Sequence, residues 1–324
     1  MSLCERLRLE HPILGAGLGG GLSRARLTVA LAEAGGLGQL GMMPPARIRG
    51  ELAVHRARSD RPVGMNLLLP FARRAHWQVA RQADLVVTFW GTPRRATSRT
   101  WLHQCGSVQE AKAAADAGAD GVIVQGVESG GHVRGVTPAL ELLERTRDAM
   151  SPGFPIWLAG GVADRADVEA ALAAGAEGVV VGTRFLLSEE SDAHPGYKRR
   201  LLDARTTVLT ELFGAGWPAP HRVVRNRATD RWLGSDERGP RWLRTLNRAT
   251  APALSRLPAS VIQRAARTQR VEVPFLGPVA AAIEDPDSLL DAGPLYAGEC
   301  VSRISDVRPA GDLLRSLAGA TPDP

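Results

Sequence analysis

Residues 125–135 read QGVESGGHVRG: a glutamine, a glutamate, a histidine and an arginine on a frame of four glycines, directly after the apolar run GVIV (121–124). A tight turn needs one or two glycines at positive φ, so this density implies that something approaches the main chain closely. His132 stands in the middle. An imidazole titrates near neutral pH, which suits it to move a proton beside a bound ligand. Glu128 is read as orienting the loop and Arg134 as holding an anionic ligand group, against the plain alternative of structural or surface side chains.

Two further stretches repeat one chemistry. AGG (159–161) and VGTR (181–184) each end an apolar run in glycine. Backbone N–H groups at such ends, with a following helix, make a phosphate site, and Gly160, Gly161, Gly182 and Thr183 are the natural donors. The alternative for Gly160–Gly161 is a tight turn and nothing more. Asn66, His103, Gln104, Gln125 and His132 all fall at or beyond the ends of apolar runs. Uncharged polar groups beside exposed amides suit a flat ligand with many hydrogen-bonding edges. A metal would require clustered carboxylates or several histidines, a pattern the sequence lacks. Cys4, Cys105 and Cys300 form no C-x-x-C pair and read as reduced thiols.

These residues need elements to hold them. Strand-like stretches occur at 12–17, 36–41, 62–69, 84–90, 100–106, 121–126, 155–161 and 178–186. Helical patterns lie between most of them, at 23–35, 45–59, 107–118, 137–150 and 163–175, with Ser107 and Asp164 as N-caps. Strict alternation implies parallel strands with right-handed crossovers, and eight units point to a closed (β/α)₈ TIM barrel with its site at the strand C-terminal ends. An open doubly wound sheet is the alternative, because periodicity does not register closure. Only nine residues, 91–99, separate the fourth and fifth strands, too few for a crossover helix. The Arg-, Pro- and Trp-rich segment 205–294 reads as a cap of short helices and loops. The barrel would then comprise 1–204 plus 295–324, the tail supplying its last helix.

The 324-residue chain has a hydrophobic content of 44% and a net charge of +6, ordinary for a globular protein. No apolar run reaches the roughly 18 residues of a membrane span, and the charged N-terminus lacks a signal-peptide core, so the expected location is cytoplasmic. Residues 222–270 hold twelve arginines against three acids. With no reading motif among them, the segment is taken as solvated or ion-paired rather than as a nucleic-acid surface.

QGVESGGHVRG, AGGVADRADVEAALAAGAEGVVVGTRFLLSEES and HPGYK, with PILGAG, AGGLGQLG, PVGMNLLLP, APHRVVRN and LYAGECVSRISDVRPAGDLL, resemble the nitronate monooxygenase family, formerly 2-nitropropane dioxygenases. The resemblance runs over nearly the whole chain. It implies a barrel carrying FMN, with the phosphate on Gly160, Gly161, Gly182 and Thr183. The isoalloxazine would lie against Gly15, Ala16 and Gly17, with Asn66 and Gln125 on the ring or ribityl chain. Gly130 and Gly131 would let the loop pass the cofactor and bring His132 to the substrate. The implied reaction is oxidation of an alkyl nitronate by O₂ to a carbonyl compound and nitrite, in a monomer or homodimer with no nucleic-acid or membrane partner. Relatives of the same fold reduce enoyl thioesters or quinones with NAD(P)H, which is the second reading. A barrel that binds a phosphate ligand or nucleic acid without redox chemistry is the third.

Overall fold

The computed structural model describes residues 2–95, 99–257 and 259–320. Eight parallel strands close into a barrel: β1 (Ile13–Gly15), β2 (Leu37–Leu40), β3 (Gly64–Leu68), β4 (Leu85–Phe89), β5 (Thr100–Cys105), β6 (Gly121–Gln125), β8 (Ile156–Ala159) and β9 (Gly178–Val181). The ring is sealed by β1 against β9, with Leu14 opposite Val180. Closure, rather than the open sheet, is the architecture. The strands are apolar on both faces because both faces are buried. Leu14, Leu37, Leu85, Val87, Leu102, Ile123, Trp157 and Val180 fill the barrel interior, while Ile13, Trp101, Val122, Val124, Ile156, Leu158, Val179 and Val181 meet the helices.

The short helix Leu3–Arg6 closes the base of the barrel. Leu3 and Leu7 pack on the interior layer, and Glu177 Oε1 accepts from the Leu3 N–H at 2.5 Å. Helices Ala25–Glu33, Pro45–Arg58, Val108–Asp116, Ala139–Ala149 and Arg165–Ala173 fall inside the expected stretches. Ser107 and Asp164 cap theirs through side-chain bonds from Glu110 and Asp167 N–H, at 3.2 Å each. The stretch expected as strand over 178–186 stops at Val181 and turns into the helix Thr183–Leu186. No helix joins β4 to β5 among the described residues; 96–98 of that crossover lie outside them. The helix Ala310–Ala318 packs beside Ala25–Glu33 and Arg165–Ala173, completing the outer ring from the far end of the chain.

Between 205 and 294 the chain leaves the ring and builds a second sheet. β10 (Val208–Thr210), β11 (His221–Val224) and β12 (Leu295–Tyr296) are antiparallel, and β11 also pairs with β7 (Gly131–His132), the two-residue strand inside the glycine-rich loop. His221 is opposite His132 and Arg222 opposite Gly131. Leu243 of the helix Arg241–Leu254 packs in one apolar cluster with Val208 and Val223 of this sheet, and the helix Ala259–Arg267 contacts the helix Ser288–Ala292. Arg24 and Arg47 of the barrel helices both bind Glu284 of the segment, at 2.7 and 2.9 Å. Among the described residues no helix is long and apolar enough to cross a membrane.

Candidate active site

The strand C-terminal ends open into a cavity of about 1080 Å³ roofed by the 205–294 segment. Side chains alternate along a strand, so those two residues beyond an inward-facing leucine also face inward. From Leu37, Leu102 and Ile123 this parity brings Gln39, Gln104 and Gln125 to the cavity floor, and Asn66 joins them between the outward-facing Met65 and Leu67. Four carboxamides thus sit directly above the apolar interior. Gln39 is 1% exposed, and its Oε1 has no partner among the described residues. A buried amide oxygen without a donor costs about 1–3 kcal/mol, so a ligand donor is expected there.

The same parity sends two expected residues elsewhere. Gly15 follows inward-facing Leu14 and so faces out; a Cβ there would strike Leu31 of the helix layer. It does not line the cavity, whereas Ala16 and Gly17 do. Gly17 is glycine because a Cβ would collide with the Asn66 side chain. His103 likewise faces the outer layer, where its Nδ1 meets Thr88 Oγ1 at 2.7 Å, and burial pushes its pKa down to about 4. Neither residue is brought to the cavity wall.

The loop after β6 is held almost entirely by the protein itself. Gln125 Nε2 donates to the His132 carbonyl at 2.9 Å, and its Oε1 accepts from Arg134 N–H at 3.2 Å. Gln125 therefore fixes the loop, both ends of its amide being engaged. Glu128 accepts from the Ala139 N–H at 2.9 Å, binding the loop to the start of the helix Ala139–Ala149, where its charge is also favourable. Arg222 donates to the Val127 carbonyl at 2.8 Å. The close approach implied by the glycines is made by backbone: a Cβ on Gly130 would lie 2.5 Å from Gly298 N, and one on Gly135 would meet the Gly106 carbonyl. Gly131, at φ +76°, faces open space. Arg134 is not among the residues lining the cavity; it pairs with Glu110 and covers Trp90 at 4.7 Å.

His132 ends the loop at the cavity. Its ring stacks on Trp217 at 3.6 Å between centroids with 19° between planes, and lies 5.3 Å from His221 and 5.5 Å from Tyr296. Its Nε2 is buried without a hydrogen-bond partner. Burial, and secondarily the His221 ring, hold its pKa well below the usual imidazole range. The ring is neutral at pH 7. His221 Nδ1 donates to the Ala219 carbonyl at 2.9 Å, and its Nε2 accepts from Phe213 N–H at 3.3 Å. That ring closes the turn carrying Trp217 and sets the stacking partner of His132. Trp217, His221 and Tyr296 carry no local signature of a site; only the pairing of β11 with β7 and β12 gathers them around His132. Gln39 was readable from parity alone.

Opposite His132, Gly160 and Gly161 take φ of +125° and +74°, and a Cβ on Gly160 would fall 2.7 Å from Ser129 Oγ. The backbone N–H groups of Gly160, Gly161, Gly182 and Thr183 donate no hydrogen bond among the described residues. Thr183 Oγ1 accepts from Gly298 N–H at 2.9 Å. All four residues line the cavity. Free amides at two adjacent strand ends fit an anionic oxygen cluster such as a phosphate. The described residues contain no group of three or more His, Cys, Asp or Glu able to hold a metal.

A family model described as nitronate monooxygenase matches residues 2–104 and 94–319. The (3aS,4S,5R,7aS)-5-hydroxy-7a-methyl-1-oxo-octahydro-1H-indene-4-carboxyl-CoA dehydrogenase of Mycobacterium tuberculosis is 35% identical over 254 residues, covering 73% of this chain and 70% of its own. The probable nitronate monooxygenase of Bacillus subtilis is 28% identical, over 64% of this chain and 76% of its own. Among solved structures, FabK from Thermotoga maritima superposes with a TM-score of 0.75 at 28% identity, covering 97% of this chain and 94% of that one. Nitroalkane oxidase from Streptomyces ansochromogenes gives 0.73 at 26%, covering 98% and 96%.

Proposed function

The chain belongs to the nitronate monooxygenase family, and on that premise we propose that it is an FMN-dependent oxidoreductase acting at carbon made acidic by a neighbouring nitro or thioester group. One observation carries this reading: His132, whose buried Nε2 has no hydrogen-bond partner, lines a cavity that also holds a floor of four carboxamides and four undonated backbone amides. That donor set fits the cofactor. Gly160, Gly161, Gly182 and Thr183 would hold its phosphate, while Gln39, Asn66 and Gln104 would meet the edges of the ring beside Ala16 and Gly17. When bound, FMN supplies the site that takes up or releases electrons.

The chain's own part is proton and substrate handling. His132, neutral and stacked on Trp217, removes the α-proton of a nitroalkane or orients a nitronate that arrives as the anion. Gln125 and Glu128 keep the loop in register, so that His132 stays at the cavity wall. The first reading is oxidation of alkyl nitronates with O₂, giving carbonyl compound and nitrite. The second is redox at an acyl thioester, with NAD(P)H as the reductant in the reductive direction. The carboxyl-CoA substrate in the name of the Mycobacterium tuberculosis relative agrees with it.

The visible spectrum of the purified protein tests the cofactor, with flavin bands expected. Stopped-flow mixing separates the two reactions. Oxygen uptake on propionate 3-nitronate supports the first; anaerobic bleaching by NAD(P)H with no such uptake overturns it in favour of the second.

A further inference from the structure

The charges around the cavity are one-sided. Its wall contains no aspartate or glutamate among the described residues, and Arg73 and Arg256 are its only arginines, with no lysine. Arg73 comes from the barrel side, after β3; Arg256 comes from the roof, just past the helix Arg241–Leu254. Both are exposed, which places them where the cavity meets solvent rather than at its floor. Neither has a carboxylate within ion-pair distance among the described residues, whereas Arg24, Arg47, Arg244, Arg248 and Arg267 nearby are all paired. Arg73 is also held from behind. Its N–H donates to His76 Nδ1 at 3.1 Å, and the buried His76 donates through Nε2 to the Met43 carbonyl at 3.2 Å.

Two guanidinium groups without a carboxylate partner, one from the barrel and one from the roof of the same cavity, attract anions, and their planar donor forks match phosphate oxygens in pairs. A phosphate monoester carries roughly −1.5 to −2 at pH 7, closer to the charge of two arginines than a single carboxylate comes. The same cavity is also lined by apolar side chains, including Phe71, Leu257, Val261 and Phe275. We propose that the cavity mouth is a second anion subsite, formed by Arg73 and Arg256, that holds the phosphorylated handle of a long ligand whose reactive end lies beneath His132. It is separate from the amides at Gly160–Gly161, and it rests on the reading of the cavity as the substrate site. The handle chemistry, a ribose phosphate with its pyrophosphate, is shared by coenzyme A thioesters and by NADPH.

Isothermal titration of the FMN-loaded protein provides the test, using octanoyl-CoA against octanoyl-N-acetylcysteamine, which lacks the phosphates, and NADPH against NADH. The phosphorylated member of one pair is expected to bind at least roughly tenfold more tightly, the equivalent of one charge-assisted hydrogen bond. The preference should shrink as sodium chloride is raised. The pair that shows it identifies the source of the handle. In Arg73→Ala/Arg256→Ala the preference should disappear, while affinity for the N-acetylcysteamine thioester stays unchanged. Arg73→Lys/Arg256→Lys should retain part of it. Because both side chains are exposed, melting temperatures should match the parent. Equal binding within both pairs, or a preference that survives the double alanine variant, overturns the subsite. The flavin is reduced with dithionite under argon beforehand, so binding is read without turnover, and a handle preference in a protein inactive on both substrate classes would sink the proposed reaction and leave the subsite standing.

Discussion

His132 is held neutral by where the chain puts it. An imidazole on a solvent-exposed glycine loop would be half protonated near pH 6.5; buried against Trp217 and beside an uncharged His221, it stays neutral. His132→Asn should keep the flavin spectrum and lower kcat by roughly 100-fold or more, the usual loss of a general base. Unchanged kinetics would leave the ring a structural role. Protonation switches the base off, so the acid limb of kcat/KM is expected well below pH 6.5; a profile already falling there would contradict the burial argument. Much at this scale was legible. The histidine and the two glycine pairs stand out by type, and Gln39, Asn66, Gln104 and Gln125 follow from counting along the strands. Gly15 and His103 show the limit of reading by position in the chain: both lie at strand ends, but on the outward-facing side of the alternation.

At the scale of elements, the glycine-rich loop is a splice between barrel and roof. Gly130 is forced by the passage of Ala297–Gly298, whereas Gly131 is required only by its positive φ. The two should therefore respond differently to the same substitution. Gly131→Ala is expected to cost about 1–2 kcal/mol of stability, the penalty of a left-handed alanine. Gly130→Ala must push two backbone segments apart, is expected to cost up to about 3 kcal/mol, and should displace Tyr296 from His132 as well. Urea unfolding of the two variants checks the order; equal costs would mean that the 297–298 segment yields freely. The eight strands and five of the helices were readable because short apolar runs alternate with longer helical stretches that end in glycine. The pairing of a two-residue strand with a segment ninety residues later was not, since no local pattern encodes a long-range ladder.

Across the whole molecule, five of the seven histidines have depressed pKa values, with burial the first cause in each: His55, His76, His103, His132 and His221. The unfolded chain binds protons at these rings near pH 6.5 and the folded chain does not. Stability is thus fully present above 6.5 and is lost as pH falls below it. For His103 and His221 the loss is complete only near pH 4, amounting to on the order of 3 kcal/mol per ring when complete. The melting temperature should drop steadily from pH 7 to 5, in a step that histidine-to-glutamine variants reduce. A flat profile over that interval would show that these rings become hydrated before the fold gives way.

The ladder between β7 and β11 also bears on how such proteins diversify. In most barrels of this kind, roof and chemistry can be exchanged separately, because the reacting side chains sit on the strands of the ring. Here the histidine is itself a strand residue of the roof's sheet. A graft that replaced 205–294 with a relative's segment would carry over the stacking tryptophan and the histidine's strand partner together. The placement of His132 and the shape of the roof are therefore inherited as one module, and recombination at the ends of that segment changes both or neither.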